Sequence, residues 1–121
     1  MRYLLLVLIT CSLTACAAQE NTLSVSAKTL LTSRQAVIAG ATTVDALCKQ
    51  GVVKPVDCTK ASTLYLQAQA GYNVASDAFV LAVQTGTSAD RSAYLAKEAD
   101  FKALAASAIS CYQEFSKETT K

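Results

Sequence analysis

Apolar residues recur alternately every three and four positions through most of the chain, which is the period of an amphipathic helix. This pattern predicts three helices. The first begins at Thr22 or Lys28 and ends at Gln50, where Gly51 supplies a C-terminal cap. The charged Arg34 interrupts its apolar stripe. The remaining members of that stripe are Ala27, Leu30, Val37, Ala41, Val44 and Cys48.

The second predicted helix runs from about Cys58 to Thr85 and has the most regular stripe. Pro55 falls in the preceding turn, and Asp57 is the expected N-terminal cap. Larger side chains, mostly aromatic rings, alternate with alanine at heptad spacing, which lets neighbouring helices approach closely at the alanines. The stripe comprises Cys58, Ala61, Tyr65, Ala68, Tyr72, Ala75, Phe79 and Ala82.

The third predicted helix follows Gly86, is capped by Thr87 or Ser88 and ends near Glu118. Its stripe comprises Tyr94, Phe101, Leu104, Ala108, Cys111 and Phe115. Short connections make consecutive helices antiparallel, so the expected fold is all-α, an up-down-up three-helix bundle. A long helical hairpin that dimerises is the alternative. Abundant alanine and a single proline also favour helices.

The amino-terminal residues have the three parts of a secretory signal. A positive end at Arg2 precedes the apolar run Leu4 to Ile9, which is too short to cross a bilayer. Small residues then lead to Leu13, Thr14, Ala15 and Cys16, which resemble the lipobox of bacterial lipoproteins. Cys11 is a weaker candidate because it follows Thr10. An ordinary cleaved signal with a chance cysteine is the competing interpretation.

The lipobox resemblance implies cleavage after residue 15 and a covalent lipid on Cys16, namely diacylglycerol plus an N-linked acyl chain. Two or more acyl chains hold a protein on a membrane essentially permanently. Because Ala17 replaces the aspartate that retains lipoproteins in the inner membrane, the resemblance also implies the periplasmic face of the outer membrane. We therefore expect a signal peptide at 1–15, a flexible tether at 16–26 and a helical domain at 27–121. No other cofactor is expected.

Charge and composition argue against several function classes. After residue 15 the chain has ten Lys or Arg and nine Asp or Glu, so it lacks the basic surface that nucleic acids require. Histidine is absent, which removes the commonest general base and a common zinc ligand. The carboxylates lie in no recognisable motif. We therefore expect no catalytic residues and no metal site, with a small glycan-cleaving enzyme as the rival.

Three cysteines remain in the predicted domain, and in an oxidising compartment they are candidates for a disulfide. Cys48, Cys58 and Cys111 lie on the predicted stripes at the same end of an up-down-up bundle. The short turn favours pairing of Cys48 with Cys58, although spacing alone leaves all three pairings open. The remaining thiol is either a small buried apolar group or a site for redox chemistry or a covalent dimer.

The second helix also carries large apolar residues outside its stripe. They are Leu66, Val74, Val80, Leu81 and Val83. One interpretation is that this helix packs against both neighbours and needs a wide apolar face. The other is an exposed surface for a partner protein, a second copy in a homodimer, or a membrane protein.

In size, lipobox and charge balance the chain resembles small bacterial or prophage lipoproteins. Some of these exclude superinfecting phage, and others are the outer-membrane, spanin-like members of phage lysis pairs. The resemblance implies a non-enzymatic interaction or structural module of the envelope, serving exclusion or assembly. A lysis role and a small cell-wall enzyme are the alternatives.

Overall fold

The computed structural model describes the backbone of residues 2–118 and the side chains of residues 23–117. It contains three helices, α1 (Arg2–Lys49), α2 (Pro55–Thr85) and α3 (Ser88–Glu118). No strand occurs in this part of the chain. The expectations for Leu13, Thr14, Ala15 and Cys16 concern side chains outside the described residues.

Contacts between the helices establish an up-down-up bundle, as the sequence predicts. The antiparallel pairing of α2 with α3 is fixed by ring contacts of Phe79 with Tyr94 and of Tyr72 with Phe101, at centroid distances of 5.2 and 5.6 Å. Both pairs are edge-on, the arrangement favoured by aromatic quadrupoles. Helix α1 packs against both α2 and α3 and completes the core.

The predicted stripes supply most of the core. All four alanines of the α2 stripe are buried, and its larger members Cys58, Tyr65, Tyr72 and Phe79 are partly buried against them. The heptad prediction is therefore confirmed for the entire stripe. The α3 core also includes Glu98, Ala105 and Tyr112, which the predicted stripe omits.

The start of α2 differs from the expectation. Helix α2 begins at Pro55, three residues before the predicted start, with Lys54 as its N-cap. Proline suits the first helical position because its fixed φ is helical and its missing N–H would have no intrahelical partner there. Asp57 consequently lies in the first turn, where a negative charge favours the helix dipole, and the prediction that it caps the helix is wrong.

The boundary expected between tether and domain also needs correction. Residues 23–26 belong to α1, Leu23 packs against the core, and Ser26 is only 8% exposed. The packed domain therefore extends before Ala27. The hydropathy pattern does not predict this extension, because the buried residue is a polar serine that is stabilised in the core by hydrogen bonds. Among the described residues, no helix has the length and apolar character needed to cross a bilayer.

Candidate functional site

Helix α2 exposes more large apolar side chains than the described parts of α1 and α3. The five apolar residues that the sequence places outside the α2 stripe are all between 48% and 61% exposed. Neighbouring helices therefore do not cover them, and the interpretation that they pack against both neighbours is wrong. These residues are Leu66, Val74, Val80, Leu81 and Val83.

Helical geometry explains why four of the five share one face. Counting about 100° per residue, Leu66, Val74, Val80 and Leu81 lie within roughly 70° of the direction opposite the buried alanines. Val83 lies farther round the helix. We call the solvent side formed by the following residues the α2 face: Leu66, Gln67, Ala70, Asn73, Val74, Asp77, Val80 and Leu81, all of which are exposed.

The α2 face is almost free of charge. Between Ala61 and Gly86 the only charged residue is Asp77, whereas α3 alone contains nine charged residues. A low density of charge is a property that distinguishes the centre of protein interfaces from other surface. The α2 face therefore has two properties typical of the centre of an interface, exposed apolar side chains and a low density of charge.

A groove of about 360 Å³ lies between α1 and α2 at the end of the bundle near the first turn. Ile38 and Tyr65 line it, together with both members of a Cys48–Cys58 disulfide. The favoured cysteine pairing is thus the one in the structure. The Cys58 sulfur also lies 3.6 Å from the carbonyl oxygen of Val53, whose side chain is buried in the turn.

Cys111 is a free, partly buried thiol and does not line that groove. It lies seven residues beyond Leu104, whose side chain packs over Gly71 of α2. Because seven residues are nearly two helical turns, Cys111 lies on the same side of α3, towards α2. Its packing against the core agrees with the interpretation of a small buried apolar group.

A buried polar cluster joins α1 to α3 at the opposite end of the bundle. The Ser26 hydroxyl donates to the Glu98 carboxylate, so the Tyr94 hydroxyl, 3.0 Å away, is left to donate to Ser26 Oγ. Lys102 Nζ lies 2.5 Å from the other Glu98 oxygen. Burial raises the pKa of the Tyr94 hydroxyl; the Ser26 hydrogen bond opposes this shift and the nearby Glu98 carboxylate adds to it.

Ser26, Glu98 and Lys102 of this cluster line a second groove, of about 580 Å³, together with Val25 and Leu95. Every buried side-chain nitrogen and oxygen in the described part of the chain has a hydrogen-bond partner. The polar groups of the cluster therefore satisfy one another, and the cluster stabilises the contact between α1 and α3. The sequence contains one indication that Glu98 is buried: it lies between Tyr94 and Phe101 on the apolar side of α3. Lys102, four residues later, is placed to pair with its charge.

Metal-binding groups are not assembled in this part of the molecule. Over residues 23–117 no three His, Cys, Asp or Glu side chains come together in a group that could hold a metal ion. Comparison of the chain with models of protein families, with curated proteins and with solved structures finds no match.

Proposed function

We propose that this chain is the precursor of a lipid-anchored envelope lipoprotein whose helical domain is a non-enzymatic interaction module. The single observation that carries the interaction role is the α2 face, which exposes large apolar side chains around one charge. Support for the anchor comes from the resemblance of Leu13 to Cys16 to a lipobox. Its destination is the periplasmic face of the outer membrane.

The anchor is tested by labelling cells that express the full chain with radioactive palmitate. The wild-type chain and a Cys11→Ser variant incorporate the label, because Cys11 is not the acylated residue. A Cys16→Ser variant does not. Label that persists in Cys16→Ser contradicts the anchor, and separation of the two membranes by density tests the location independently.

The interaction role is tested by placing a photo-reactive amino acid at Leu81 in the full chain and irradiating intact cells. Position 81 lies on the α2 face and should give protein adducts. Ala103, which is exposed on α3, is the matched control position and should give none. Equal yields from both positions, or no adduct from position 81, contradict a binding role for the α2 face.

The rival function, cleavage of cell-wall glycan, makes a different prediction. If the domain is an interaction module, the purified full chain releases no soluble fragments from peptidoglycan. Hydrolysis that is lost when a single carboxylate such as Glu114 is changed to Gln would overturn the non-enzymatic proposal. Such an enzyme would need two carboxylates placed on either side of a glycosidic bond.

A further inference from the structure

We propose that the α2 face binds the α2 face of a second copy of this chain, with the two helices antiparallel. The inference rests on the interaction module proposed above and names its partner. It does not depend on the lipid anchor. Two properties of the α2 face support it, its charge and the order of its residues, and its size sets the expected strength of the pair.

The charge of the α2 face restricts the chemistry of its partner. With Asp77 as its only charge, the face offers no basic group to an acidic partner and no acidic cluster to a basic one. A complementary surface must therefore be neutral and partly apolar. Helix α3 carries nine charged residues, grouped toward its two ends, and is less suitable, whereas a second α2 face has the required properties.

The order of residues along the α2 face is suited to self-association. If a two-fold axis passes between Asn73 and Val74, Leu66 of one copy lies opposite Leu81 of the other, and Gln67 lies opposite Val80. Asp77 then lies opposite Ala70, so the two Asp77 carboxylates are about 10 Å apart along the helix axis. Ions screen charges at that separation.

A parallel pair lacks this advantage. It places Asp77 of one copy beside Asp77 of the other near the centre of the contact, where like charges repel. The antiparallel arrangement therefore follows from the position of the single charge.

The size of the α2 face sets the expected strength of the pair. From Leu66 to Leu81 the helix rises about 22 Å, so a strip of helix width buries only a few hundred Å² on each copy. Stable interfaces bury roughly 800 Å² on each partner. The pair should therefore be weak and concentration-dependent, and anchoring on a bilayer would favour it by raising the local concentration.

Disulfide cross-linking of the full chain tests both the partner and the orientation. In a Cys111→Ser background, Asn73→Cys lies close to the proposed axis and should cross-link with itself under mild oxidation. Leu81→Cys alone should not, because its image is about 22 Å away along the axis. Mixing differently tagged Leu66→Cys and Leu81→Cys chains should give the mixed dimer. The background without added cysteine is the control.

The outcomes are distinct. Self-cross-linking of Leu81→Cys would indicate a parallel pair and overturn the orientation, and absence of cross-links at all positions would overturn the pairing. Val74→Asp should reduce the yield of the Asn73→Cys cross-linked dimer by about tenfold or more, which corresponds to a loss of about 1.4 kcal/mol of binding free energy. Val56→Asp, at a more exposed valine of α2 that lies ten residues before the first residue of the α2 face, should leave the dimer yield unchanged.

Failure of the α2–α2 pairing can be distinguished from failure of the proposed interaction role. If photo-adducts from position 81 contain a different protein while no α2 cross-link forms, the second copy is the wrong partner and the interaction module stands. If neither adducts nor cross-links form, both proposals fail. Palmitate labelling of Cys16 is unaffected by either outcome.

Discussion

Two charged side chains, Arg34 and Glu98, lie on core stripes and are accommodated in different ways. The Arg34 guanidinium lies over the Tyr72 ring, with its carbon 4.7 Å from the ring centroid, so its charge interacts with the π face. Glu98 is only 4% exposed and is held by Ser26 and Lys102. A buried carboxylate without such partners would be strongly destabilising.

Ser26→Ala should lower the free energy of unfolding by about 1–3 kcal/mol, because it leaves the buried Glu98 carboxylate and Tyr94 hydroxyl without a shared partner. Ser24→Ala is the matched control, since Ser24 is exposed one half-turn away on α1. Its effect should stay within about 0.5 kcal/mol. Urea denaturation followed by circular dichroism measures both. Equal effects would show that the serine contact contributes nothing.

The Ser26–Glu98 contact could not have been predicted from the apolar pattern. The sequence marks Arg34 as a break in a stripe but offers no rule for which ring will lie beneath it. Ser26 and Glu98 are 72 positions apart, and their pairing depends on the axial register of α1 against α3. Periodicity identifies which side of each helix faces inward, whereas register between helices depends on packing.

The sequence predicts the buried side of α2 most accurately because its stripe repeats at a constant heptad interval. The turn into α3 was also predictable: Gly86 adopts the left-handed conformation that ends α2, and Thr87 Oγ1 accepts from the Asp90 N–H at 3.2 Å. Hydrogen bonds from Thr85 and Thr87 lower the pKa of the Asp90 carboxyl. The sequence does not define the start of α2, because a proline is compatible both with a turn and with the first position of a helix.

Close approach of α1 to α3 depends on Gly40. A methyl group there would lie 2.7 Å from Tyr112 Cδ2, and Tyr112 is buried with its hydroxyl directed at the Ala61 carbonyl. The ring therefore has little room to move. At Gly71 the corresponding clash, 2.9 Å, is with Leu104 Cδ1, the end of a flexible and only partly buried side chain.

We therefore expect Gly40→Ala to be destabilising and Gly71→Ala to be nearly neutral. Alanine favours a helix by about 1 kcal/mol over glycine at both sites. Overpacking at position 40 costs about 1–3 kcal/mol and offsets that gain, whereas rotation of Leu104 relieves most of the strain at position 71. Thermal and urea unfolding of the two variants decide the matter, and a less stable Gly71→Ala would contradict this account of the packing.

The disulfide links α1 to α2 at one end of the bundle. The cysteines are 10 positions apart, and closing a loop of that length stabilises a domain by about 3 kcal/mol in the chain-entropy model. Cys48→Ser should therefore reduce the free energy of unfolding by about that amount, and a reducing agent should have no further effect on this variant. Cys111→Ser should retain the response to reductant. If Cys111→Ser abolished that response instead, Cys111 would be a member of the bond.

High pH should weaken the fold through two tyrosines near opposite ends of the core. Burial raises the pKa of both Tyr94 and Tyr112, with smaller contributions from Glu98 at Tyr94 and from Tyr65 and Cys111 at Tyr112. Below pH 10.0, the ordinary value, both hydroxyls are protonated in the folded and unfolded states and stability is unaffected. Above it the unfolded chain loses protons that the folded chain retains, so the free energy of unfolding falls.

The expected result is a free energy of unfolding that is level up to about pH 10 and then declines as the pH approaches the raised values. The tyrosinate absorbance contributed by these two rings, obtained by subtracting the titration of the Tyr94→Phe, Tyr112→Phe double variant, should grow together with the loss of helical circular dichroism, because burial disfavours their ionisation in the folded bundle. The double variant starts from lower stability, since it loses the bonds to Ser26 and Ala61, but its decline above pH 10 should be shallower. An equally steep decline in the double variant would place the alkaline sensitivity elsewhere in the chain.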